Sequence, residues 1–200
     1  LNDLLCDEPL LLDSKGNAIF HHRFLPLANF KGDLNALYSD ILKTLFNTES
    51  ASHLYLHNIK KASGEVALKV GNNDYFALIN VGDSSELLKS AVELENVSVE
   101  QDEFSDGLFG TINQDSSTLN LLIGSRKFTE GWSSWRVSTM GLLNMGRGEG
   151  SQIIQLFGRG VRLKGRNFSL RRTPINEMPK GLGLDKLETL NIFGIKADYM

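Results

Sequence analysis

Gln155, Gly158, Arg159 and Arg162 are spaced at i, i+3, i+4 and i+7. On a helix those positions share one face, so the four residues form a polar stripe. Guanidinium groups are planar and engage phosphate oxygens two at a time. An arginine held in place stabilises the charge that spreads over a phosphoryl group during transfer. Glycine inside a helix costs about 0.5–1 kcal/mol relative to alanine. A solvated helix face gives no reason to accept that cost at Gly158, whereas close approach of a ligand does.

The elements that must position this stripe follow from periodicity. Ile153, Ile154, Phe157 and Val161 predict the buried side of a helix over 151–163. An apolar strand over 119–123 ends at Gly124-Ser125, a loop runs over 127–135, and a second apolar strand covers 137–143. The segment 146–150, Gly-Arg-Gly-Glu-Gly, leads into the helix. Strand, loop, strand, glycine-rich loop and helix is the order of an α/β fold with a parallel sheet. Ligands of such sheets sit at the carboxyl ends of the strands, so the loops 125–135 and 144–150 are expected at that edge. Upstream, a helix is predicted over 35–47 with Asp33 as its N-cap. Alternating residues over 51–81, broken by turns at 63–64 and 71–74, predict a small antiparallel meander. Asp83 or Ser84 opens a further helix carrying Leu87, Leu88, Ala91 and Val92, and 97–99 is a short strand. A short helix is expected over 108–112 and a last apolar segment over 187–193.

Bulk composition bounds the rest. A hydrophobic fraction of 41% over 200 residues suits one packed domain with a small appendage. The net charge of -3 hides an asymmetry, because residues 147–172 hold seven Arg or Lys against the single acid Glu149. Such a segment can meet phosphate locally. Cys6 is the only cysteine, which removes intrachain disulfides and cysteine metal clusters and is in keeping with a reducing cytoplasm. No apolar run approaches the roughly 20 residues of a membrane span. The chain opens at Leu1, mid-pattern, which reads as a piece of a longer protein.

The contiguous stretch 123–162, IGSRKFTEGWSSWRVSTMGLLNMGRGEGSQIIQLFGRGVR, resembles motifs V and VI of superfamily 2 helicases, and within them the Res subunit of type III restriction enzymes. The resemblance implies a RecA-like parallel sheet flanked by helices, with the meander as a small insertion. Residues 1–50 would be a lead-in, 51–82 the inserted or edge meander, 75–170 the second motor domain and 171–200 an extension. It implies an ATP-dependent DNA helicase or translocase. ATP and Mg²⁺ would be held mainly by a first RecA-like domain upstream, and both domains would close on the nucleotide. Arg159 and Arg162 would reach its phosphates, placed by Gln155, with Gly131, Glu130 and Gly158 beside the nucleotide. Ser125, Arg126, Lys127 and Thr129 would contact the DNA backbone. The implied partners are DNA, ATP and the first motor domain, with a modification methyltransferase subunit in a restriction complex and none in a stand-alone helicase. One departure stands out. Relatives carry an acid two positions after the motif V glycine, where this chain has Ser133.

Other readings are weaker. No phosphate-binding G-x-x-x-x-G-K-[ST] occurs, so the chain alone is not expected to hydrolyse ATP, and Asp102-Glu103 reads as a solvated turn. The 146–150 loop has G-x-G-x-G spacing, short of a dinucleotide fingerprint. His53 and His57 lack a third zinc ligand, and Glu65 and Lys69 are spaced too widely for a nuclease motif. Trp132 and Trp135 could stack on bases or fill a core. A non-catalytic nucleic-acid-binding module that keeps the motor fold is the alternative to the motor itself.

Overall fold

Neighbouring residues in the central strands point to opposite faces, and each face buries apolar side chains, Leu56, Val66 and Ile79 on one and Ile59, Ala67 and Leu78 on the other. That is the signature of a sheet covered on two sides. The computed structural model describes residues 12, 14–17, 30–124, 133–144, 150–161, 165, 167, 169–181 and 184–195. Five strands form the main sheet: β1 (Leu54–Ile59), β2 (Glu65–Val70), β3 (Ala77–Asn80), β4 (Val97–Asp102) and β5 (Leu121–Gly124). Their order is β4-β1-β2-β3-β5. β1 pairs parallel with β4 and β3 parallel with β5, while β2 is antiparallel to both β1 and β3. Four strands therefore run one way and β2 alone runs back.

One face packs Leu56, Val66 and Ile79 against Ala91 of helix α2 (Ser85–Val92), with Leu87 and Leu88 beside it. The other face packs Ile59, Ala67 and Leu78 under Ile112 and Leu119 of the long β4–β5 connection. In that connection the short helix expected over 108–112 is a single 3₁₀ turn at Phe109–Thr111. Helix α1 (Leu34–Phe46) docks by its last turn, where Phe46 meets Phe76 edge-on with centroids 5.1 Å apart. Asp33 accepts the Asn35 N–H at 2.9 Å, as a cap should. At the other end Asn47 adopts the left-handed conformation and donates to the Tyr75 and Thr118 carbonyls, both at 3.0 Å. The β1–β2 turn needs glycine at Gly64. Its φ is +79°, and a Cβ there would strike the Gly82 carbonyl.

A second, separate sheet pairs β6 (Thr139–Leu143) parallel with β7 (Asn191–Ile195). Between them in sequence lie helix α3 (Gly150–Gly160) and the short helix α4 (Leu184–Leu187). Gly160 lets α3 approach this pair, since a Cβ there would lie 2.7 Å from the Leu190 methyls and 2.8 Å from the Met140 methyl. Among the described residues, no helix is long and apolar enough to cross a membrane.

Two expectations are corrected. The meander is not an insertion, because β1, β2 and β3 are the three middle strands of the main sheet. Ile59, Ala67 and Leu78 are buried on one of its faces and Leu56, Val66 and Ile79 on the other, because separate segments cover both sides. Strands β5 and β6 are also not neighbours within one sheet. β5 spends one edge on β3, β6 pairs with β7, and Leu121 and Ile123 are left exposed.

Candidate functional site

Helix α3 carries Gln155, Gly158 and Arg159, so three members of the stripe stand on one helix as their spacing requires. Gln155 and Gly158 are exposed and Arg159 is partly buried. Ile153 is the residue that buries the helix. Ile154 and Val161 do not join it. They are 72% and 59% exposed, contrary to the expected buried side. The helix approaches β6 and the turn before β7 at Gly160, which lies against Met140 and Leu190, and Ile154 and Val161 remain exposed. A Cβ at Gly158 would meet nothing within 4 Å. Packing within the described residues therefore does not require glycine here. The outcome is a helix face open at Gln155 and Gly158, with Arg159 partly buried beside them and two exposed aliphatic side chains on its flank.

Arg162 lies outside the described residues, as do Ser125, Arg126, Lys127, Thr129, Glu130, Gly131 and Trp132. The flanks of that segment are described. β5 ends at Gly124, in register with Asn80 at the end of the parallel strand β3. On the far side, Ser133 uses its carbonyl to accept the Asn113 side chain at 2.7 Å. Ser134 is buried and accepts the Arg136 N–H at 3.1 Å. Arg136 donates to the carbonyls of Ile112 at 2.8 Å and Leu119 at 2.7 Å. The segment that follows position 132 is thus tied to the covered face of the main sheet. Arg172, in the basic stretch, donates to Thr189 Oγ1 at 3.1 Å and serves the chain terminus locally.

Asn80 was not legible as a site residue. It is 1% exposed, and among the described residues neither its amide nitrogen nor its amide oxygen has a hydrogen-bond partner. An unsatisfied buried amide is uncommon and stands here at the carboxyl end of a parallel strand, where α/β sheets bind ligands. In the sequence it is a single polar residue closing an apolar run, with no motif around it.

A second polar cluster lies along the face of the sheet that carries Ala67 and Leu78. The rings of His53, Tyr55, His57 and Tyr75 follow one another at 4.9, 6.3 and 5.5 Å between centroids. Lys69 Nζ stands 6.0 Å from both tyrosine rings. Burial lowers the His57 pKa, with the Lys69 charge acting in the same sense. Together they outweigh Glu100, whose carboxylate is 3.4 Å away. His57 is therefore neutral at pH 7, and the close approach to Glu100 is not an ion pair there. Asp102 accepts the Tyr75 hydroxyl at 2.7 Å, the Ser105 hydroxyl at 2.6 Å and the N–H groups of Phe104 and Ser105. Desolvation works to raise the Asp102 pKa, but these bonds prevail and hold it well below the usual carboxylate range. The expected solvated turn at Asp102-Glu103 is a hydrogen-bonded anchor at Asp102. Burial and the bond to Asp102 push the Tyr75 hydroxyl above its ordinary range. No group of three or more His, Cys, Asp or Glu among the described residues could hold a metal ion.

Comparisons of the chain with protein-family models, curated proteins and solved structures find no match. The functional reading therefore rests on the motifs and on the geometry of α3.

Proposed function

We infer that the chain is the second RecA-like motor domain of an ATP-dependent DNA helicase or translocase of the type III restriction Res kind. The observation that carries the reading is the open face of α3, where Gln155, Gly158 and Arg159 stand together and Gly158 has empty space above it. An arginine-bearing helix that presents bare backbone suits a nucleotide gripped from a facing lobe. The exposed Ile154 and Val161 beside it suit burial by that lobe. Bound ATP-Mg²⁺ supplies the phosphoryl group to be transferred. In this chain Arg159 and Arg162 stabilise the spreading charge, while the Gln155 amide orients the arginines. The residues Ser125, Arg126, Lys127 and Thr129 grip phosphates of the DNA backbone, contacts that carry no sequence information and suit a motor. Closure of the lobes on ATP then moves that grip along the strand.

In the full-length protein, Arg159→Ala and Arg162→Ala each abolish DNA-stimulated ATP hydrolysis, by about 10³-fold if the arginines act as fingers. DNA binding measured by anisotropy is retained. ATPase that survives both substitutions refutes the reading. So does an upstream sequence with no phosphate-binding loop, which leaves a nucleic-acid-binding module without motor activity.

A further inference from the structure

A cavity of about 350 Å³ opens between the β4–β5 connection and the turn at 133–136. Asn113, Gln114, Asp115, Ser117, Trp135 and Arg136 line it. The volume sits at the small end of the roughly 300–1,000 Å³ that small-ligand sites occupy. Its walls are fixed to each other. Asn113 donates to the Ser133 carbonyl, and Arg136 donates to the carbonyls of Ile112 and Leu119. Main-chain bonds from Gln114 to Thr111 at 2.9 Å and from Ser117 to Gln114 at 3.0 Å shape the facing loop. The cavity is thus preformed.

The chemistry of the lining is selective. Trp135 leaves 42% of its surface exposed at this cavity instead of joining a core. Ser117 has a buried hydroxyl with no partner among the described residues. Arg136 bonds neutral carbonyls, and among the described residues no carboxylate pairs with its charge. Asp115 adds an acceptor-only carboxylate. An indole with a carboxylate, amides and a hydroxyl around it matches a flat heterocycle with polar edges. Such rings stack on aromatic side chains whatever their identity, and their edges are read by hydrogen bonds.

We propose that this cavity takes one unstacked base of single-stranded nucleic acid, stacked on Trp135 and read at its edge by Asp115. A carboxylate has two acceptor oxygens and matches an edge that offers two adjacent donors. Guanine offers N1–H and N2–H₂ side by side. Thymine offers one N–H between two carbonyls, which the carboxylate repels. The pocket therefore favours guanine over thymine. The inference rests on the nucleic-acid half of the motor reading and needs nothing from its ATP half.

The test uses the 200-residue chain with Trp132→Phe, which leaves Trp135 as the sole indole, since the chain has two tryptophans. Titration with a thymine 12-mer carrying one central guanine quenches Trp135 emission, with affinity about tenfold above that of the all-thymine 12-mer. Asp115→Asn removes that preference and keeps the quenching. By anisotropy of the labelled oligomer, Trp135→Leu binds at least about fivefold more weakly, the loss of one base stack, at an unchanged unfolding midpoint. Oligomer binding with unchanged Trp135 emission, or with no guanine preference, overturns the pocket and leaves the motor reading standing. No binding of any oligomer by the full-length protein overturns both.

Discussion

The guanidinium of Arg136 donates to the main-chain carbonyl of Leu119 at 2.7 Å, seventeen residues back along the chain. A second bond, to Ile112, makes one side chain bridge the segment after position 132 and the layer that covers the main sheet. Hydrogen bonds from charged groups contribute about 1.5–3 kcal/mol, less where water competes, and Arg136 is partly exposed. Arg136→Ala is expected to lower stability by about 1–2 kcal/mol in urea denaturation. Arg136→Lys is expected to recover less than half, since one ammonium does not reproduce the planar fork. A lysine variant as stable as the parent would show that the second bond contributes nothing.

Gly158 and Gly64 are glycines for opposite reasons, which predicts opposite responses. Gly158→Ala places a methyl in open space within a helix and should stabilise the chain by about 0.5–1 kcal/mol. On the motor reading the same methyl intrudes on the nucleotide and lowers ATP hydrolysis in the full-length protein. Gly64→Ala combines a positive φ with a collision against the Gly82 backbone, which has no flexible side chain to yield. A loss of about 2–4 kcal/mol or failure to fold is expected. Thermal melts of both variants decide, and destabilisation by Gly158→Ala would mean that α3 is packed where it is described as open.

Asp102 sets an acid limit on stability. Its pKa is depressed in the folded chain, so below about 4, the ordinary carboxylate value, the unfolded chain takes up the proton first. The contribution is therefore complete above that pH and is lost as pH falls toward the depressed folded value. Asp102→Asn should lower the unfolding midpoint at pH 7 and flatten its decline between pH 5 and 2.5. Tyr75→Phe removes one of the four bonds and should give a smaller change in the same direction. An Asp102→Asn variant whose acid profile parallels the parent's would place the acid sensitivity elsewhere.

Asn80 carries a cost that the fold does not recover. A buried unsatisfied amide is worth about 1–3 kcal/mol of destabilisation. Asn80→Leu, which keeps the branching and heavy-atom count and has no polar atoms, is expected to be neutral or stabilising by about 1 kcal/mol. Asn80→Ala leaves a cavity and should destabilise. If leucine instead weakened the fold by more than 1 kcal/mol, the amide would have a partner in solution.

Much of the architecture was written in local pattern. Period-two alternation located β1 and β2, Asp33 marked the start of α1, and three-and-four spacing put Gln155, Gly158 and Arg159 on one helix. These signals are local because backbone geometry alone sets them. Strand partners were not legible. Nothing in 51–82 distinguishes a surface meander from the centre of a sheet, since that depends on which distant segments cover each face. Here α2 covers one face and residues 108–119 the other. For the same reason Ile154 and Val161 read as core but stand exposed: amphipathic spacing assigns a face, and only tertiary packing decides what meets it. The sequence by itself determined that Gln155, Gly158 and Arg159 share one helix. The tertiary structure alone decided that Gly158 faces open space, that Asn80 is buried without a partner among the described residues, and that Trp135 borders a cavity with Asp115. Each of these is a relation between residues far apart in the chain, and no local period encodes such a relation.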